Sequence, residues 1–142
     1  MKVWKAVKAV IRNSEGRILF IKEKSRSRNF SYYGIPGGRL NPRESEEEGL
    51  KREVWEETGL KVKVGRFLGE FQFTMGNGEK VEAKAFECEV ENSIGDLTHA
   101  FQDAVQEDIE GVGWFTPEEF LSKKLPDIGG NFLAFLKTLS EE

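Results

Sequence analysis

Short apolar runs cut by turn-forming residues set the pattern of the chain and predict most of its elements. Residues 3 to 12 and 17 to 23 are rich in Val, Ile, Leu and Phe, and Asn13-Ser14-Glu15-Gly16 between them has the chemistry of a hairpin turn, so two early strands are expected. A polar and basic stretch, Lys22 to Asn29, leads into Phe30 to Ile35. Pro36-Gly37-Gly38 then predicts a loop, because a proline beside two glycines disfavours regular structure. Asn41-Pro42-Arg43-Glu44 reads as a helix start, with Asn41 as N-cap, Pro42 at the first helical position and Glu44 where a carboxylate reaches back to the cap. That helix should run to about Thr58, with Gly59 supplying the left-handed stop.

Downstream, Lys61 to Phe73 and Glu79 to Val90 are expected as long strands joined through Met75-Gly76-Asn77-Gly78, which contains the Asn-Gly pair favoured in hairpins. Residues 91 to 108 have little periodicity and read as a functional or connecting loop. Ile109 to Phe115 follow as a last strand, and Thr116-Pro117-Glu118-Glu119 opens a short helix. Phe132, Phe135, Leu136 and Leu139 recur at helical spacing, so an amphipathic C-terminal helix is expected to dock on the body, with Asn131 as its N-cap. Strands, helix, strands and helices in that order predict an α/β (α+β) plan, a mixed β-sheet flanked by helices.

Composition narrows the function classes. A chain of 142 residues with 38% hydrophobic and 32% charged residues fits one folded domain, 1–142, away from the composition of disorder. The net charge of −4 offers no broad attraction for long nucleic acid or an anionic membrane, which leaves a small molecule as the expected partner. Cys88, the single cysteine, excludes an intrachain disulfide and sits in a strand-like run, where packing is its expected role. Lys2, Lys5 and Lys8 interrupt the apolar residues of the N-terminus, so no signal peptide or membrane span is read there and cytoplasmic residence is the default. Monomer and homodimer are both compatible with the sequence.

The chemistry concentrates in Gly38 to Leu60, GRLNPRESEEEGLKREVWEETGL. On a helix Glu53, Glu56 and Glu57 share one face, with Glu46 two turns earlier in nearly the same direction. Like charges at that spacing repel, and Glu56 and Glu57 fall in the final turns, where the helix dipole disfavours an anion by roughly 0.3–1 kcal/mol each. A divalent cation held by hard carboxylate oxygens would offset both penalties. A solvated acidic face, softened by Arg52 pairing with Glu48 or Glu56, is the other reading of the charge pattern alone.

In its spacing this segment resembles the Nudix family, whose box reads Gly, five residues, Glu, seven residues, Arg-Glu, aliphatic, any, Glu-Glu, any, Gly, aliphatic. Gly38, Glu44, Arg52, Glu53, Glu56, Glu57 and Gly59 fill the seven fixed places, and Val54 and Leu60 the two aliphatic ones. The match spans 23 of the 142 residues, and the flanking strand order and the Pro36-Gly37-Gly38 entry also look like the family. The resemblance implies a Nudix-like α/β/α sandwich and Mg²⁺-dependent hydrolysis, with Mn²⁺ as an alternative ion, of a diphosphate bond in a nucleoside diphosphate derivative. It implies further that Glu56 and Glu57 bind the ion, that Glu53 binds metal or acts as general base, and that Gly37 or Gly38 lends a backbone carbonyl. Arg52 and Glu44 would pair to hold the acidic cluster, while Val54 and Leu60 anchor the helix.

Family members recruit another acidic ligand from the loop before the last strand, which points to Asp108 and Glu107, with a solvated loop as the alternative. Lys22, Lys24, Arg26 and Arg28 precede the metal loop and are candidates for clamping substrate phosphates, or form a basic surface. Phe30, Tyr32, Phe71 and Phe73 could stack on a base, although aromatics on strands are more often core. The proline familiar from ADP-ribose-cleaving relatives is replaced by Gly76, and the tyrosine familiar from dinucleoside-polyphosphate relatives is absent. The reading therefore favours a nucleoside triphosphate pyrophosphohydrolase over an ADP-ribose, nucleotide-sugar or dinucleoside polyphosphate pyrophosphatase. A non-catalytic nucleotide-binding module is the alternative of another class, and the intact Glu53, Glu56 and Glu57 speak against it.

Overall fold

The computed structural model describes residues 3–24, 31–75, 78–92, 109–124 and 130–141. Its strands are β1 (Val3–Ile11), β2 (Ile18–Lys24), β3 (Ser31–Gly34), β4 (Gly37–Arg39), β5 (Val62–Thr74), β6 (Lys80–Val90) and β7 (Ile109–Phe115). The helices are α1 (Glu46–Thr58), α2 (Pro117–Ser122) and α3 (Phe132–Ser140). β1 lies inside a four-stranded mixed sheet ordered β4-β1-β6-β5, parallel to β6 and antiparallel to β4. β2 belongs to a separate antiparallel sheet ordered β3-β2-β7.

Apolar residues on both faces of β1 explain its interior place. Ala6 and Val10 join Ile18, Phe20, Phe71, Phe120 of α2 and Phe135, Leu136 and Leu139 of α3 in one cluster. Val7, Ala9 and Ile11 point the other way, towards Leu19, Cys88 and the α1 residues Leu50 and Val54. Helices thus cover both faces of the mixed sheet, as the order of elements predicts. Leu50 and Val54 are fully buried, and each contributes about 1.5–3 kcal/mol to holding α1 on the sheet. Among the described residues no helix is long and apolar enough to cross a membrane.

The structure departs from the sequence pattern in four places. The turn at Asn13 to Gly16 forms, with Asn13 Oδ1 accepting the N–H groups of Glu15 and Arg17, each at 3.0 Å. Yet β1 and β2 share only the bridge between Arg12 and Ile18 before entering different sheets, so the expected hairpin is a turn without a ladder. The expected loop at Gly37 and Gly38 instead belongs to β4, paired with β1 through Val7↔Gly38 and Lys8↔Gly37.

Helix α1, finally, takes Ser45 as N-cap in place of Asn41: Ser45 Oγ accepts the Glu48 N–H at 3.1 Å. Asn41 to Glu44 form a turn with Arg43 at a φ of 67°, a left-handed conformation that a helix cannot contain. Glu44 still reaches back, its Oε1 accepting the Asn41 N–H at 3.0 Å. At the other end Gly59, φ 73°, stops the helix as predicted and donates its N–H to the Trp55 carbonyl. Asn131 stands at the start of α3, but its Oδ1 accepts the Gln72 N–H at 2.6 Å and so pins the helix to β5 instead of capping it.

Candidate active site

Two glycines of β4 position two carboxylates of α1. Gly37 has a φ of 138°, and a Cβ there would lie 2.1 Å from the Val7 carbonyl oxygen, so only glycine lets the turn close on β1. Its N–H donates to Glu57 Oε1 at 2.7 Å, which gives a carboxylate that is only 4% exposed a charge-assisted partner. Gly38 leaves the room that Glu53 fills: a Cβ there would sit 2.7 Å from the Glu53 Cδ and Oε2. Val54 and Leu60, both fully buried, fix the helix beneath these contacts.

Arg52 ties the remaining acids together. Its Nε and Nη2 donate to the two carboxylate oxygens of Glu44 at 2.7 and 3.0 Å, the bidentate geometry that a guanidinium supplies and an ammonium does not. Nη1 donates to Glu53 at 3.1 Å and to Glu56 at 3.2 Å, and Nη2 also reaches the Arg39 carbonyl at 3.3 Å. The hydrogen bonds from Arg52 and from the Asn41 backbone hold the Glu44 carboxyl at about 2. Glu53 behaves oppositely: burial pushes its proton affinity up, and the nearby Arg52 charge only partly restrains it. No basic residue stands in the last turn of α1, where the helix dipole disfavours the charges of Glu56 and Glu57.

The three acids share one end of one helix but do not converge on one point. Glu53 rests on Gly38, Glu56 leans on Arg52, and Glu57 turns inward to Gly37. Among the described residues no three acidic, histidine or cysteine side chains are gathered into a ready-made ion site. Asp108, Glu107, Arg26 and Arg28 lie outside the described residues, as do Phe30 and the side chains of Lys24 and Tyr32. Lys22 Nζ sits 5.9 Å from the Tyr33 ring centroid, on the second sheet. Phe71 is core, 3% exposed, and Phe73 is partly buried beside it. Cys88 is buried, and desolvation raises its thiol to about 12, in keeping with a packing role.

One cation near the carboxylates escapes a reading by motif. Lys8 Nζ lies 3.2 Å from the Gly37 carbonyl oxygen and 3.5 Å from that of Ile35, and its charge is felt by Glu53. The signal available in the sequence was a single charged residue inside the strand run Ala6 to Ile11, whose other members are all buried.

The chain is similar to known proteins. The family described as NUDIX domain matches residues 2–136. A "MutT-like protein" of Streptomyces ambofaciens is 28% identical over 123 residues, covering 87% of this chain and 70% of that protein. A "CTP pyrophosphohydrolase" of Escherichia coli (strain K12) is 32% identical over 72 residues, which cover 51% of this chain and 53% of that one. The chain therefore spans only about half the length of this second relative. Among solved structures, the MutT protein from Methanosarcina mazei Go1 superposes with a TM-score of 0.73 at 27% identity, covering 98% of this chain and 94% of that one.

Proposed function

The chain belongs to the NUDIX family of pyrophosphohydrolases, and on that footing we propose that it cleaves a diphosphate linkage of a nucleoside triphosphate in the presence of a divalent cation. The observation that carries this reading is the pairing of the two β4 glycines with Glu57 and Glu53, which fixes carboxylates of one helix end against a turn whose backbone is bare. The name of the Escherichia coli relative, a CTP pyrophosphohydrolase, supports a nucleoside triphosphate as the substrate class.

The donor set fits a hard cation such as Mg²⁺ or Mn²⁺: Glu56, Glu57 and the Gly37 or Gly38 carbonyl offer only oxygen. Glu56 is one-third exposed and held by a single Arg52 contact, so it can swing towards an ion without backbone movement. The Lys8 ammonium 3.2 Å from the Gly37 carbonyl supports this oxygen as a partner for positive charge. When bound, such an ion supplies charge neutralisation at the phosphate oxygens. Glu53 is the group we assign to accepting the proton of the attacking water, because burial raises its affinity for a proton and Gly38 holds its carboxylate in place. Arg52 and Glu44 keep Glu53 and Glu56 from splaying apart.

The test is turnover of nucleoside triphosphates, nucleoside diphosphate sugars, ADP-ribose and dinucleoside polyphosphates with Mg²⁺ at mildly alkaline pH, with products identified. Triphosphates should be the best substrates, and chelation should abolish the activity. Binding without turnover across the whole panel would instead support a non-catalytic nucleotide-binding module.

A further inference from the structure

We propose that Lys8 binds a non-bridging phosphate oxygen of the substrate's diphosphate, on the flank opposite α1. The inference rests on the functional reading above and adds to it a residue from outside the motif. Lys8 stands directly across from Gly37 in the β1–β4 ladder. Its stem runs over that glycine so closely that a Cβ on Gly37 would lie 2.9 Å from Lys8 Cδ. The ammonium is thereby delivered to the rim of the turn that faces Glu53 and Glu57, with the Phe73 ring centroid 5.6 Å away.

Two physical facts make this lysine a binder of substrate anion. Lys8 is a half-buried charged side chain in a strand whose neighbours Ala6, Val7, Ala9, Val10 and Ile11 are all buried, a place where a lysine calls for polar company. Among the described residues Lys8 has no carboxylate within 4 Å, and its contacts to two carbonyls, at 3.2 and 3.5 Å, are longer than the roughly 2.7–2.9 Å of a strong charge-assisted bond. Those contacts park the ammonium without saturating it.

The second fact is charge balance. Glu53, Glu56 and Glu57 with one doubly charged ion still sum to a negative site, and a polyphosphate must approach it. The neighbouring cations are committed: Arg52 to Glu44, and Arg39 to the face of Trp4 at 4.3 Å. Among the described residues Lys8 is the cation at the turn that is left to meet the substrate, so the diphosphate would be flanked by the carboxylate side on α1 and by an ammonium on β1.

The experiment compares wild type, Lys8→Met and Lys8→Arg in three readouts: affinity for a nucleoside 5′-(α,β-imido)triphosphate with Mg²⁺ by calorimetry, KM and kcat on the best triphosphate, and Mn²⁺ affinity of the nucleotide-free protein. Lys8→Met should weaken analogue binding and raise KM by about tenfold or more with a much smaller change in kcat, while Lys8→Arg recovers most of the affinity. Mn²⁺ affinity should not fall below the wild-type value. Unchanged analogue affinity in Lys8→Met overturns the proposal, and so does a parallel loss of Mn²⁺ affinity, which would mark Lys8 as a brace for the turn. Lys8→Gln, which keeps a donor for the two carbonyls, carries the same test if Lys8→Met does not fold. A wild type that neither binds nor cleaves any nucleotide refutes the functional reading and this inference together; an active wild type whose analogue affinity and KM are unchanged in Lys8→Met removes only the role of Lys8.

Discussion

Adding one methyl group at Gly37 or at Gly38 should have opposite consequences, although the two residues are adjacent. At Gly37 the new Cβ would meet backbone, the Val7 oxygen at 2.1 Å and the Lys8 Cα at 2.7 Å, and the φ of 138° is itself strained for alanine. Relief requires β4 to part from β1, so Gly37→Ala should cost about 3 kcal/mol or more and lower Tm by about 10 °C. At Gly38 every close contact is the Glu53 carboxylate, at 2.7 to 2.8 Å. A retreat of about 0.7 Å would bring that flexible end to ordinary contact near 3.4 Å, and stability should change by no more than about 1 kcal/mol. A displacement approaching an ångström at a group that must meet the attacking water is worth about 100-fold in rate. Thermal melts and kcat on the best nucleoside triphosphate, measured on both variants, decide the matter. If Gly38→Ala kept the wild-type kcat, or lost as much stability as Gly37→Ala, the argument that this glycine cradles a working carboxylate would be refuted.

Glu57→Gln keeps an oxygen for the Gly37 N–H at 2.7 Å and should stay folded, yet lose at least about 100-fold in turnover and most of its Mg²⁺ affinity; a wild-type rate would contradict its role as a ligand. Glu44 is held at about 2 against an ordinary 4.5, so its pairing with Arg52 contributes fully above about pH 4.5 and fades as pH falls towards 2. Glu44→Gln should therefore melt below wild type at neutral pH, with the gap narrowing across that window, and a gap that does not change with pH would contradict the assignment. Leu50→Ala, at a fully buried position of α1 remote from the carboxylate end, should cost about 2–5 kcal/mol in urea unfolding; a loss under about 1 kcal/mol would show that α1 is not anchored through this side chain.

The helix and the clustering of its charged side chains were legible because they depend on spacing along one element. Arg52, Glu53, Glu56 and Glu57 lie within six residues, so helical geometry alone puts them on neighbouring positions, and the Arg52–Glu44 pair follows from two fixed places in the motif. Gly59 likewise needs nothing but its own conformational freedom to end α1. The element order and the apolar face of Phe135 and Leu136 were readable for the same reason, since each is a local periodicity.

What only the tertiary structure decided are the pairings between distant segments. Pro36-Gly37-Gly38 reads locally as a loop, and it becomes a strand because β1 offers a free edge and Gly37 carries no side chain to keep the Val7 carbonyl away. The apparent hairpin partners β1 and β2 separate because β1 finds β6 and β4 while β2 finds β7 and β3, contacts made across sequence separations that no window of residues contains. Lys8 looked like one more charge near the N-terminus. It acquired its meaning when the β1–β4 ladder set it across from Gly37, because the field and the hydrogen-bonding groups around a side chain belong to whatever the fold brings beside it.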